Sequence, residues 1–359
     1  MILRTGIAIF AFGLGAGCST SPNWFGAGEA TARDWEIERV QAEVETGELA
    51  ASIRGPMYTR VRRILKVLTP ADRDRLANID IVILTAPQSL FVFESGFDTT
   101  TSPPTPLIRT SSASLVGLNK VSMAQSVGTL ADKDGSWLFK YLLYMRAIPD
   151  GGTIVDPLRA SGVVSGGVNG IVEIDRASYE RVWNDAQIVF DNMLTFLLAH
   201  EMAHLVSPRL PKGTFDSEMS YEQRVRDDEA RADREALKML AAVEETQTGA
   251  DKSMPLYLLG APVVFFQWIV TMEGSRRSLH PRTHPLDHSR AELAVLEIKK
   301  LLSGLPLTPS ERASFPKVNE EALQELSAIK KAGVENYFAS LDEQSRRVTI
   351  ESLRFVPSP

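Results

Sequence analysis

Apolar residues fall on nearly every side of the run NDAQIVFDNMLTFLLAHEMAHLV, residues 184–206, from Ile188 onward. This predicts a helix buried within a domain rather than one lying on its surface, with Ser207-Pro208 as its stop. A second long helix is expected over SYEQRVRDDEARADREALKMLAAVEE, residues 220–245, with Ser220 and Gln223 spaced as a capping box and Leu237, Leu240 and Ala241 on an apolar stripe. The uncharged run 254–272 is interrupted by Pro255, Gly260, Pro262 and Gln267. It reads as a buried helix packed on the same domain, with a membrane-associating hairpin as the alternative. A further helix should begin near His284, with Pro285 in its first turn, and continue through Leu301.

Upstream, residues 34–68 read as helical with a break at Gly55-Pro56, followed by strands at 79–84 and 89–93. Residues 99–112, TTTSPPTPLIRTSS, read as a loop rich in Pro, Ser and Thr, and 136–147 as a helix. The Gly-rich stretch 161–170 leads into a short strand at 170–174, which is either a plain structural strand or a sheet edge that receives an extended substrate. Polar amphipathic helices are expected after Pro309, to Val348. The predicted class is α+β, mainly helical, with a small sheet.

The first long helix contains His200-Glu201-Met202-Ala203-His204, the H-E-x-x-H signature of zinc peptidases. The chain has only five histidines, which makes chance a poor account of two at this spacing beside a glutamate. At i and i+4 the two imidazoles share a helix face and reach one cation at about 2.0–2.1 Å, while Glu201 sits about 100° round the helix, where it can address a water. Burying these groups costs roughly 2–7 kcal/mol for each one left unpaired, a cost that a metal would offset. The plainer alternative is a pair of core histidines hydrogen-bonded to backbone or carboxylate.

An open catalytic site needs a third protein ligand. Glu229 and Asp233, one turn apart on the second helix, place Glu229 as that ligand and Asp233 as the acceptor for a ligand histidine, unless both are ordinary solvated charges. Asp228 is the fallback ligand; otherwise it and Asp227 are solvated or bonded to arginine.

Three blocks in this order resemble the gluzincin family that includes the CAAX prenyl proteases, HtpX and the BepA-type peptidases. They are HEMAH at 200–204, EARADREA at 229–236, similar to the family's E-A-D-x-x-A block, and THPLDHSR at 283–290, similar to its T-H-P…R block. GPMYTRVRRIL at 55–65 resembles the helix that opens such a domain, and IDIVIL at 79–84 the strand that follows. Gln88-Ser89-Leu90-Phe91 echoes the family's Asn-Ala-Phe strand only loosely, and residues 95–165 have no counterpart.

The resemblance implies a zincin-type metallopeptidase domain with its small β-sheet beside the H-E-x-x-H helix. It implies one Zn²⁺ held by His200, His204 and Glu229, Glu201 as general base, and Asp233 behind a ligand histidine. His284 and Arg290 would lie near the cleft, where a donor stabilises the tetrahedral oxyanion. The implied partner is a peptide or protein substrate.

The N-terminus, MILRTGIAIFAFGLGAGCSTSPNW, reads as a secretory signal over 1–17 whose end resembles a bacterial lipobox. Cys18 would then carry the lipid anchor and Ser19 would direct the chain to the outer membrane; ordinary secretion and an uncleaved anchor are the alternatives. With that single cysteine no intramolecular disulfide can form, so the core must carry the fold. A net charge of −6 argues against nucleic acid as a partner, and Arg60 to Arg63 read as one solvated helix face.

The expected organisation is a linker and helix at 18–54, a metallopeptidase domain at 55–305 with an insertion at about 95–165, and a helical tail at 306–359. The expected function is a zinc-dependent endopeptidase of the bacterial cell envelope. The alternative is a zinc-containing envelope lipoprotein that acts mainly as a chaperone or assembly factor with latent proteolysis. A purely structural zinc site fits less well, because such sites usually complete four ligands and are often cysteine-rich.

Overall fold

The structure, a computed structural model, describes residues 51–84, 93–131, 176–207, 218–246, 255–272 and 288–304, with isolated helical positions at 138, 141–142, 309, 324, 327 and 331. It is mainly helical with one small sheet, an α+β arrangement. The expected N-terminal signal with Cys18, the segment 161–174, the segment containing His284 and most of the tail lie outside the described residues.

Helix α1 occupies 51–67 and buries Ile53, Met57, Val61 and Ile64 at helical spacing. The expected break at Gly55-Pro56 does not occur: this buried stripe runs through both residues, and tertiary packing outweighs the backbone hydrogen bond that Pro56 cannot make. The helix also spans the expected domain boundary at 55. Of the arginine cluster, Arg62 and Arg63 are exposed, but Arg60 pairs with Asp191 of the long helix α4 described below. Helix α2, Pro70–Leu76, starts on Thr69, whose Oγ accepts from the Asp72 backbone N–H.

The sheet has the order β1-β3-β2, with β1 (Asp80–Leu84), β2 (Phe93–Asp98) and β3 (Thr105–Ser111). Strand β1 runs parallel to β3, whereas β2 and β3 form an antiparallel hairpin with Glu94 opposite Arg109. Of the strand expected at 89–93 only Phe93 is described, as the first residue of β2, and 89–92 lie outside the described residues. One expectation is corrected here: the Pro/Ser/Thr-rich 99–112, expected as a loop, contains the central strand of the sheet. Pro106, Ile108 and Thr110 alternate inward, and that period places the segment in the sheet despite its loop-like composition. Only 99–104 turns, organised by Asp98, whose Oδ1 accepts from the Thr100 backbone N–H and hydroxyl at 2.9 and 2.6 Å.

Helix α3, Ser112–Ala131, follows β3 directly and packs along α4, Arg176–Val206. The region 95–165 expected as an insertion therefore includes the central strand and a core helix, and Leu138, Tyr141 and Leu142 within it are buried. Helix α4 starts ahead of the expected run and ends where Ser207-Pro208 predicted.

Helix α5, Glu218–Thr246, already includes Ser220, so Ser220 is not its cap; Gln223 reaches forward to Asp227 at 3.0 Å instead of back to a cap. Helix α6, Pro255–Met272, is buried against α3, α4 and α5 and against α7, His288–Gly304. Gly117 of α3 faces Trp268 of α6 so closely that a Cβ there would stand 2.9 Å from the indole. Among the described residues no helix is long and apolar enough to cross a membrane. Thus α4 forms the centre of the helical layer, touching α3, α5 and α6 as well as β2 and β3 of the sheet.

Candidate metal centre

Three helices converge at the C-terminal third of α4. Helix α4 is apolar on almost all sides, so His200, Glu201 and His204 are carried into the interior with relative exposures of 3%, 1% and 8%. Helix α5 is strongly charged, and it turns inward one face containing Glu229, Ala232, Asp233, Ala236 and Leu237, all buried. Helix α7 brings Arg290 to the same place, 6% exposed.

His200 and His204 stand with ring centroids 4.7 Å apart and planes at 83°. Their Nε2 atoms lie 3.1 Å from each other. Glu229 Oε2 lies 3.3 Å from His200 Nε2, and Oε1 lies 3.2 Å from His204 Nε2. Donors of a tetrahedral ion with bonds of about 2.0–2.1 Å stand about 3.3–3.4 Å apart. Two imidazoles and one carboxylate thus meet at the separation a single small cation requires, all of them buried, and this group can hold a metal ion.

The surroundings fix this orientation. His200 Nδ1 lies 2.9 Å from Asp233 Oδ1, which places the ring proton on Nδ1 and leaves the Nε2 lone pair facing the cluster. Phe196, one turn before His200, packs its ring 6.3 Å from the imidazole and edge-on to Phe266 of α6. Burial alone would raise the Asp233 carboxyl group's pKa. The positive charge of Arg290, together with the hydrogen bond from His200, outweighs burial and holds that pKa well below the usual carboxylate range.

Arg290 donates through Nε to Asp233 Oδ2 at 2.8 Å and through Nη2 to Oδ1 at 2.9 Å, while Nη1 lies 3.0 Å from Glu229 Oε2. The C-terminal end of α4, just past His204, is held by two more arginines. Arg75 of α2 donates to the Val206 carbonyl at 3.0 Å, and Arg231 of α5 to that of Ser207 at 2.9 Å. Such contacts satisfy the last carbonyls of a helix and complement its dipole.

Of the residues singled out from the sequence, His200, His204, Glu229, Asp233 and Arg290 come together, with Glu201 buried on the same helix. Asp227 is exposed. Asp228 is buried apart from the cluster, paired with Arg224 at 3.3 Å and with Arg231 at 3.8 Å. Cys18 and His284 lie outside the described residues. Sequence reasoning missed the fork of Arg290 onto Asp233, the Phe196 wall and the two arginines on the end of α4. Each depends on tertiary approach, and no local pattern signals it.

No protein-family model matches the chain, and no curated protein and no solved structure matches it significantly.

Proposed function

We propose that this protein is a zinc-dependent endopeptidase of the bacterial cell envelope, built on a zincin-type domain. The observation that carries the reading is the convergence of His200, His204 and Glu229, buried and mutually 3.1–3.3 Å apart, with Glu201 next to His200 on the same helix. A donor set of two imidazoles and a carboxylate suits zinc, and three protein ligands leave the fourth position open for reaction. The small sheet beside α4 accords with the same domain type, and the signal-like N-terminus with its lipobox-like Cys18 supports the envelope as the compartment.

His200, His204 and Glu229 would hold the zinc, which would supply Lewis acidity toward the scissile carbonyl and toward a water near neutral pH. Glu201 is the general base that takes the proton from the attacking water and later delivers it to the departing amine. His200 is kept in its ligating tautomer by Asp233, so its Nε2 lone pair is committed before substrate arrives. The apolar surroundings of α4 exclude bulk water and strengthen the electrostatics of the site.

The test compares wild type with Glu201→Gln, both zinc-loaded, against a peptide library with products identified by mass spectrometry. The variant should keep its metal and lose about 10²–10⁴-fold in turnover. Equal cleavage by the two proteins would sink the mechanism.

One observation favours a second reading. His204, the most exposed of the four motif and ligand side chains, has only 8% of its surface accessible, so a peptide reaches these atoms only after the site opens. This suits an envelope chaperone or assembly factor whose proteolysis is latent. Under that reading a Glu201→Gln allele complements a deletion strain fully; under the first it does not.

A further inference from the structure

We infer that Arg290 is a positioning residue for metal binding: its guanidinium locks Glu229 and Asp233 into the arrangement in which Glu229, and His200 through Asp233, present their donors to the ion. The inference rests on the metal reading of the His200, His204 and Glu229 cluster, and it assigns Arg290 a role different from the oxyanion donor expected from the sequence.

The geometry is specific. Glu229 and Asp233 are neighbours one turn apart on α5, both almost wholly buried. Like charges at this spacing repel, and in a dry interior the repulsion would turn the two carboxylates away from each other. Arg290 turns all three of its nitrogens onto them, two on Asp233 and one on Glu229, at 2.8, 2.9 and 3.0 Å. Asp233 Oδ1 receives both Arg290 Nη2 and His200 Nδ1, so one oxygen links the guanidinium to a ligand histidine. Glu229 Oε2 receives Arg290 Nη1 at 3.0 Å and stands 3.3 Å from His200 Nε2, the two facing the same point.

The guanidinium thus ties α7 directly to one metal-facing side chain, Glu229, and through Asp233 to a second, His200. A lysine ammonium has its three donors on one atom and cannot reproduce three contacts made from three separate nitrogens of a planar fork. The positioning role therefore depends on the planar fork as well as on the charge.

The test measures zinc affinity by competition with a chelating dye on the full chain at fixed pH, for wild type, Arg290→Lys, Asp233→Asn and the double variant. Circular dichroism first establishes that each is folded. Both single variants should bind zinc about 10–100-fold more weakly, the range for partners that orient metal ligands, and the double variant should be no weaker than the poorer single one. The visible spectrum of the cobalt-loaded variants should also shift, a readout that a general loss of stability would not produce. If Arg290→Lys fails to fold, Arg290→Gln, which removes the charge and the three-nitrogen fork, takes its place in the same comparison. Wild-type affinity with an unchanged cobalt spectrum in the folded variants overturns the inference while leaving the metal reading intact. Absence of zinc binding by wild type overturns both.

Discussion

Two regions of the interior bury polar side chains, and they are built in opposite ways. On α3, Ser122 and Ser126 are fully buried, yet each hydroxyl donates within its own helix, to the Leu118 carbonyl at 2.8 Å and the Ser122 carbonyl at 3.1 Å. Nothing from another element is needed to satisfy them. At the end of α4 the pattern reverses. His200, His204, Glu229, Asp233 and Arg290 meet across helices, over sequence separations such as the 57 residues between Arg290 and Asp233. Burying such a set costs far more than burying a serine, and breaking one partner of a buried charged pair costs about 3–5 kcal/mol. The cluster depends on three separate helices and can hold a metal ion, whereas the serine stripe is satisfied within one helix.

Substitutions should separate the two regions sharply. The largest expected effect is at Glu201, where Gln should abolish most turnover while zinc stays bound. Next comes Glu229→Ala, which should cost both the metal and the thermal stabilisation the metal confers. Saturating metal at a hundred times its Kd adds about 2.7 kcal/mol, so stripping wild type with a chelator should lower Tm while the variant, already without metal, should not respond. A chelator-induced shift of equal size in both proteins would contradict the assignment of Glu229.

Smaller effects test the packing region. Gly117→Leu should destabilise by about 1–3 kcal/mol despite a better helix propensity, because any Cβ there meets the Trp268 indole at 2.9 Å. Denaturant unfolding checks this, and a stability equal to wild type would mean that α3 and α6 part easily. Smallest of all, Ser122→Ala should change stability by about 1 kcal/mol or less and leave zinc affinity untouched, since the carbonyl it serves belongs to its own helix. A loss of metal in that variant would erase the distinction between the two regions.

The same contrast explains what was legible in the sequence. Helices α4, α5, α6 and α7 have long apolar faces, and the motif histidines and the Glu229/Asp233 pair sit at helical spacings that place them on shared faces before any tertiary information is added. Helix α3 carries a weak amphipathic signal, because buried Ser112, Ser114, Ser122 and Ser126 interrupt the apolar stripe of Leu115, Leu118, Val121, Met123 and Val127. Strand β3 was hidden by composition: its Pro and Thr residues resemble a loop, and only pairing with β1 and β2 on both sides makes it the centre of the sheet. Gly55-Pro56 misled in the other direction, since the buried stripe of α1 overrides the local breaker. Arg290 was legible as a candidate but not in its placement, which requires α7 to dock against α5.

The central claim is that the cluster on α4 and α5 is a metal centre, and the most direct test is the metal content of the purified chain by elemental mass spectrometry beside Glu229→Ala and His204→Ala. About one zinc per chain in wild type, lost in both variants, is the expected result. Absence of zinc from freshly purified wild type, with none taken up on addition, would contradict it and leave the buried histidines as a hydrogen-bonded pair in a core.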